Sequence, residues 1–154
     1  MASRVVARCR ARVRDIVLPF IGNKDYVTSQ IDHWGPGEWI ALWENALAAY
    51  GLDLSGRIFA EPTWLPVAKR LAERALRDGW VQQGTTWITR PMHPVGADQT
   101  PPDGDGSFNR FGMPLAPWVV LRQEPTNAKA RAVWDYLLSD PNGARNWMPP
   151  GLNP

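Results

Sequence analysis

The side chains that could carry catalysis or bind a metal ion are few in this chain and poorly placed for either task. The two histidines, His33 and His93, lie far apart, and neither belongs to a group of His, Cys or carboxylate residues at metal-binding spacing. The sequence has no G-x-S-x-G motif, no Cys–His pair and no P-loop, the patterns typical of nucleophilic catalysis and phosphoryl transfer. We therefore expect no enzyme activity, cofactor or metal ion, while a site built from carboxylates alone stays open.

One short segment has the alternating oxygen-bearing side chains of a calcium loop. It runs from Asp103 to Ser107 and alternates these residues with glycine. An EF-hand loop that begins at Asp103 needs glycine at its sixth position and glutamate at its twelfth, whereas this chain has Phe108 and Pro114 there. A solvated turn is the better interpretation.

Tryptophan is unusually frequent, with nine residues among 154. Four tryptophans fall on predicted buried faces, where core packing accounts for them: Trp39, Trp43, Trp80 and Trp134. Three others lie beside glycine or proline in segments predicted to be irregular: Trp34, Trp118 and Trp147. Because tryptophan is the residue most enriched at binding hot spots, we expect these three and the neighbouring Met148 to contact a partner protein. Docking of the same rings within the chain is the alternative.

Positive charge is concentrated at the N-terminus. Five arginines precede the first acidic residue, Asp15, although the formal net charge is only +2: Arg4, Arg8, Arg10, Arg12 and Arg14. Three interpretations are open, namely a solvated helix face, a set of phosphate contacts weakened by salt, and a helix lying on a membrane surface. The membrane ranks last because the apolar side of this helix carries small valines, so no membrane contact is expected.

The elements that position these residues follow from apolar periodicity. The pattern predicts four helices, at 3–18, about 36–50, about 63–78 and 126–139. Pro19 is expected to end the first, and Gly51 the second. Residues 80–82 and 85–89 flank Gln83-Gly84 and predict a β-hairpin, and 118–121 predict one more strand.

These elements indicate an α+β fold. We expect a helical core of about four helices, a small β-hairpin or three-stranded sheet, a long Pro/Gly loop and an extended C-terminal tail. The predicted parts are a basic amphipathic helix at 1–20, a single domain at 21–140 with an irregular loop at 91–117, and the tail at 141–154. No apolar run approaches the roughly 20 residues that span a bilayer.

Residues 37–90 present a helix, a connector, a basic helix and a hairpin, an order that resembles the winged-helix DNA-binding domain. In that family the last helix enters the major groove and the hairpin forms the wing. The resemblance implies that four residues would face DNA, with Arg90 following the wing: Lys69, Arg70, Arg74 and Arg77. The connector 52–62 has no clear pattern for the short second helix of the family. With Arg4, Arg8 and Arg12, these residues form the candidate nucleic-acid surface.

The sequence therefore predicts a non-catalytic structural subunit of a multiprotein assembly, in contact with other subunits as a homo- or hetero-oligomer. The favoured example is a bacteriophage virion component, such as a head–tail connector, a tail protein or a capsid-associated protein. The alternative is a nucleic-acid-binding protein. A single cysteine, Cys9, excludes an intramolecular disulfide and favours a reducing intracellular compartment, or the virion if the protein belongs to one.

Overall fold

The computed structural model of the chain describes residues 2–27, 29–31, 38–90, 92–94 and 112–139. The helices of these residues are α1 (Ala2–Arg12), α2 (Leu18–Ile21), α3 (Leu42–Ile58), α4 (Leu65–Gly79), α5 (Leu115–Gln123) and α6 (Ala128–Ser139). The strands are β1 (Ser29–Ile31), β2 (Glu38–Ala41), β3 (Trp80–Gln83), β4 (Thr86–Thr89) and β5 (Met92–Pro94). The α+β class expected from the sequence is confirmed.

The core lies where α3, α4 and α5 pack against one another. Alanines occupy many of the contact positions on α3 and α4, and such small side chains let helix backbones approach closely. The buried residues of α3 include Leu42, Ala46, Ala49 and Leu52, and those of α4 are Ala68, Leu71, Ala72, Ala75, Leu76 and Gly79. Helix α4 therefore has the one-sided burial expected from its apolar periodicity.

Two strands before α3 and one strand after the hairpin form a three-stranded antiparallel sheet, with the strand order β1-β2-β5. Its central strand, β2, pairs Trp39 with Gln30 on one side and with Pro94 on the other. Residues 38–41 were expected to lie in a helix, and this expectation is wrong. Trp39, Ile40 and Ala41 are all buried between neighbours, and a central strand buries both of its faces, whereas an amphipathic helix would expose one.

The predicted hairpin is confirmed. Strands β3 and β4 pair antiparallel, with Trp80 opposite Thr89 and Gln83 opposite Thr86. Gly84 has a φ of 60°, a left-handed conformation that glycine adopts at little cost. The hairpin follows α4 directly, so its orientation is fixed by the helix.

Two helix predictions need correction. Helix α3 continues through Gly51 to Ile58, so no helix ends at Gly51. Residues 118–121 were expected to form a strand but belong to α5, in which every residue from Ala116 to Leu121 is buried. A short run of consecutive apolar residues fits a buried helix and a buried strand equally well, so periodicity alone could not separate them.

The N-terminal helix also extends further than predicted. A π-helical turn at Val13–Val17 joins α1 to α2, and the helical path continues past Pro19 to Ile21. In a regular α-helix the ring of Pro19 would clash with the carbonyl four residues earlier, and we attribute the wider turn to relief of that clash. The path ends at Gly22, which has a φ of 54°.

The predicted Pro/Gly loop at 91–117 is structured at both ends. Strand β5 occupies 92–94, and a turn at 112–114 leads into α5. Gly112 lies so close to α3 that a Cβ atom there would be 2.7 Å from the carbonyl oxygen of Trp43. The middle of the loop, the tail at 141–154, Trp34, Trp147 and Met148 lie outside the described residues.

Candidate interaction surfaces

Helix α3 is apolar on the side that faces away from the core. Trp43, Leu47, Gly51, Leu54 and Ile58 recur at helical spacing along this side, and we call them the α3 outer face. Trp43 is 36% exposed, Leu47 42% and Ile58 73%, whereas Leu54 is half-buried. Among the described residues, Gly112 approaches Leu47 and α1 lies across a groove from Ile58, yet Trp43, Leu47 and Ile58 stay exposed.

The exposure of this face corrects the predicted core. Trp43 and Leu47 were assigned to the buried stripe of a helix beginning near residue 36. Trp39, the first residue of that stripe, lies in β2, and the buried side of α3 instead carries Leu42 and Ala49 beside Ala46, which was assigned to the stripe and is buried as predicted. The other three tryptophans assigned to the core, Trp39, Trp80 and Trp134, are buried as predicted.

The N-terminal helix carries a second exposed apolar set, which we call the N-terminal apolar residues: Val5, Val6, Ile16, Val17 and Phe20. Their exposed fractions range from 38% for Val17 to 64% for Phe20. Ile21, at the end of α2, is buried and anchors the helix in the core. The N-terminal helix is therefore attached to the domain at its C-terminal end and leaves most of its length accessible.

A shallow groove of about 600 Å³ separates α1 from the end of α3. Its lining consists of Val6, Ala7, Arg10, Ala11, Arg14, Ile58 and Phe59. At this groove the Nε atom of Arg10 donates to a carboxylate oxygen of Glu61 at 2.7 Å. This ion pair fixes the side of α1 that faces the domain.

The arginines of the N-terminal helix differ in their partners. Arg14 pairs with its neighbour Asp15 at 2.6 Å, and this hydrogen bond lowers the pKa of the Asp15 carboxyl. Arg4, Arg8 and Arg12 are exposed at successive turns, and no carboxylate among the described residues pairs with them. These three cations are available to an external anion.

The cations of α4 are engaged within the chain. Lys69 lies 2.9 Å from Glu124 and 3.4 Å from Glu73. The hydrogen bond to Glu124 raises the pKa of Lys69. The same bond, with a smaller contribution from a hydrogen bond of Asn127, lowers the pKa of Glu124. Lys69 therefore joins α4 to the segment after α5.

Arg74 and Arg77 share a pair of carboxylates, Asp25 and Asp78. Arg74 approaches Asp25 at 3.3 Å and Asp78 at 2.5 Å. Arg77 lies 2.9 Å from Asp78 and 3.6 Å from Asp25. The hydrogen bond to Asp78 raises the pKa of Arg77. The charges of these arginines are thus balanced by neighbouring acids.

Arg70 and Arg90 also have roles inside the fold. Arg70 donates to the backbone carbonyls of Gly22 at 2.7 Å and Lys24 at 2.9 Å, which ties α4 to the end of the N-terminal helix. Arg90 is half-buried, and its backbone N–H donates to Gly79 at 2.9 Å. Among the residues expected to face nucleic acid, Arg4, Arg8 and Arg12 are the ones whose side chains form no hydrogen bond or ion pair with another described residue.

Trp118 lies in the core, so the predicted exposure of this residue in an irregular segment is wrong. It is 3% exposed in α5, and its ring meets Tyr50 edge-on with the ring centroids 5.2 Å apart. Its position after Pro117 suggested an irregular segment, but Pro117 is tolerated in the first turn of α5. A side chain so buried cannot form a surface contact in this conformation.

A buried carboxylate that the sequence analysis missed lies beside Trp118. The Asp53 side chain is fully buried on α3 and accepts bonds from Arg57 at 2.9 Å and from Gln123 at 3.1 Å. Arg122 lies 3.3 Å from the same carboxylate and stacks over Trp118 at 4.5 Å. The spacing of Asp53 and Arg57, four residues apart in a helix, was the signal available in the sequence. This network holds α3 against α5.

No group of three or more His, Cys, Asp or Glu residues in the described part of the chain could hold a metal ion. His93 lies on β5, with its Nδ1 atom 3.4 Å from a guanidinium nitrogen of Arg74. His33 lies outside the described residues. None of the helices that the structure describes is both long and apolar enough to cross a membrane.

Comparison with known proteins gives no match. The chain matches no protein-family model, no curated protein and no solved structure.

Proposed function

We infer that the protein is a non-catalytic structural subunit of a multiprotein assembly and that it docks on a neighbouring subunit through the α3 outer face. The observation that carries this proposal is the exposure of Trp43, Leu47 and Ile58 along a helix whose opposite side is buried in the core. Contiguous exposed apolar surface marks interaction sites in soluble proteins. The neighbouring subunit supplies the second apolar layer that α3 lacks.

The residue types support a protein partner for this face. Tryptophan anchors many interfaces because its large ring is buried with little loss of side-chain freedom. Trp43 and Leu47 lie one turn apart, and Gly51 one turn further on leaves room for a partner side chain, since nothing lies within 4 Å of a Cβ atom placed there. The face bears no basic residue, so a nucleic acid would find no phosphate contact on it.

The bacteriophage virion remains the favoured example of such an assembly. Trp34, Trp147 and Met148 stay proposed partner contacts, as predicted from the sequence. The proposal for Trp118 is withdrawn because its side chain is buried.

The test is an affinity purification from the native source, with quantitative mass spectrometry, of the unmodified chain and of Leu47→Glu. A matched control is Thr85→Glu, which places the same charge on the exposed hairpin tip. We expect a set of proteins in fixed proportion with the unmodified chain and with Thr85→Glu, and loss of that set with Leu47→Glu. Light scattering of the isolated chain detects a second copy as the partner.

Two results would contradict the proposal. One is that the isolated chain is a monomer and that the Leu47→Glu chain recovers the same proteins as the unmodified chain. The other is a loss of folding free energy above about 2 kcal/mol in the isolated Leu47→Glu chain, as expected if the chain itself covers the face.

A nucleic-acid-binding function is the second candidate, and Arg4, Arg8 and Arg12 favour it. Binding of this kind weakens steeply with salt because each phosphate contact releases counterions. Since Arg70 and Arg74 are engaged within the chain, Arg8→Gln should weaken binding of a DNA duplex more than Arg70→Ala does. Fluorescence anisotropy at low salt measures both effects, and no binding there ends this candidate.

A further inference from the structure

The N-terminal helix combines exposed apolar side chains with arginines that no described carboxylate pairs with, and a groove separates it from Ile58 at the end of the α3 outer face. Ile16 is 61% exposed and Phe20 64%, one turn apart near the end of the helical path. A membrane surface was the last-ranked interpretation of this helix, because its predicted apolar side carried small valines and lacked Trp, Phe or Leu. The helical path past Pro19 adds Phe20 to the exposed side and removes that objection.

The charge of the helix selects an anionic partner. Arg4, Arg8 and Arg12 lie at successive turns, about 6 Å apart along the axis, and are exposed. The carboxylates near the helix are already bound, Glu61 to Arg10 and Asp15 to Arg14. A second copy of the chain would bring the same arginines together, so repulsion disfavours self-pairing through this helix.

The exposed apolar side chains distinguish between two anionic partners, a nucleic acid and a lipid bilayer. A nucleic acid would contact the arginines but would leave Ile16 and Phe20 in water, because its backbone offers them no apolar surface. A bilayer containing acidic lipids provides both anionic and apolar surface. Its phosphate groups can contact the arginines, and its acyl chains can bury the apolar side chains. The helix is attached to the domain mainly through its C-terminal end, so its accessible side can lie along a plane.

We propose that residues 2–21 form an interfacial helix that binds the surface of an anionic lipid bilayer, with Ile16 and Phe20 inserted and Arg4, Arg8 and Arg12 on the lipid phosphates. The residues of this site are not among those of the α3 outer face, so the subunit would carry its protein contacts on one helix and its lipid contact on another.

The experiment measures binding to vesicles of phosphatidylcholine alone and of phosphatidylcholine with about one quarter phosphatidylglycerol. The only cysteine, Cys9, is exposed on α1, so an environment-sensitive dye attached there reports entry into an apolar phase. We expect co-sedimentation and a blue shift of the dye with the anionic vesicles, weakened as NaCl rises from about 0.05 M to about 0.5 M, and little of either with phosphatidylcholine alone.

Variants separate the two contributions. Arg8→Gln should weaken binding about fivefold, the value expected for one cation at an anionic surface. Phe20→Gln should weaken it about tenfold through loss of apolar burial. Arg131→Gln on the exposed side of α6 and Thr85→Gln at the hairpin tip are the controls, and both should bind as the unmodified chain does. Circular dichroism verifies that each variant is folded.

Three results would overturn the proposal. They are no binding to the anionic vesicles at low salt, binding that Phe20→Gln leaves unchanged, and a DNA duplex that shifts the Cys9 dye as strongly as the vesicles do. None of them affects the proposed protein contact, because that contact is tested by Leu47→Glu in the purification from the native source.

Discussion

At the scale of single residues, the core joins aromatic and charged side chains in one continuous contact. Tyr50 packs on the edge of Trp118, Arg122 stacks over the same ring, and Arg122 also approaches the buried carboxylate of Asp53. The carboxylate is tolerated at zero exposure because Arg57 and Gln123 donate to it as well. Trp118 therefore has a structural role, which distinguishes it from the exposed Trp43.

The first prediction compares these two tryptophans. Trp118→Ala removes a ring that is 97% buried and should lower the free energy of unfolding by about 3–5 kcal/mol. Trp43→Ala removes a ring that is 36% exposed and should cost less than half as much. Urea unfolding followed by circular dichroism measures both, and equal losses would contradict the assignment of Trp43 to an interface.

The second prediction concerns the ion pair between Lys69 and Glu124. Lys69 lowers the pKa of the Glu124 carboxyl below the ordinary value of 4.5, and Asn127 adds to this. A carboxyl whose pKa is lower in the folded state contributes stability above its unfolded pKa and loses it as the pH falls through its folded pKa. In an NMR titration the pKa of Glu124 should lie below 4.5 and rise partway back in Lys69→Met. An unchanged value in that variant would show that Lys69 is not the cause.

At the scale of elements, what the sequence could predict depends on how each element is buried. Helix α4 is exposed on one side, so its apolar residues recur at helical spacing and the helix could be predicted. The hairpin could be predicted from the glycine in its turn. Strand β2 and helix α5 are buried on all sides and show continuous apolar residues without a period. The α3 outer face was missed because its apolar residues resemble core residues, and only the packing of α3 shows which side is covered.

The third prediction uses two glycines that differ in their surroundings. A Cβ atom at Gly112 would be 2.7 Å from the carbonyl oxygen of Trp43, so Gly112→Ala should lower the free energy of unfolding by about 1–3 kcal/mol. Gly51 lies inside α3 with open space around it, so Gly51→Ala should raise stability by up to about 1 kcal/mol. Thermal and urea unfolding of the two variants provide the comparison. A neutral Gly112→Ala would mean that the turn before α5 does not press against α3.

At the scale of the whole molecule, some helices form the core and others leave apolar surface exposed. Helices α3, α4, α5 and α6 form the core. A hydrogen bond from Arg70 on α4 holds the end of the N-terminal helix, and an ion pair from Lys69 holds the turn after α5. In the part of the chain that the structure describes, two exposed apolar surfaces remain, the α3 outer face and the N-terminal helix. Apolar periodicity predicted the α+β class, but the two surfaces could be located only after the structure showed which apolar residues lie in the core.

The most direct test of the proposed interface is hydroxyl-radical footprinting of Trp43, in the isolated chain and in the assembly purified from its native source. Trp87, half-buried on the hairpin, serves as the internal reference. We predict that Trp43 is oxidised readily in the isolated chain and is protected severalfold in the assembly, while Trp87 reacts equally in both. A Trp43 that reacts equally in both samples, or that is already as unreactive as Trp118 in the isolated chain, would contradict the proposed docking of α3 on another subunit.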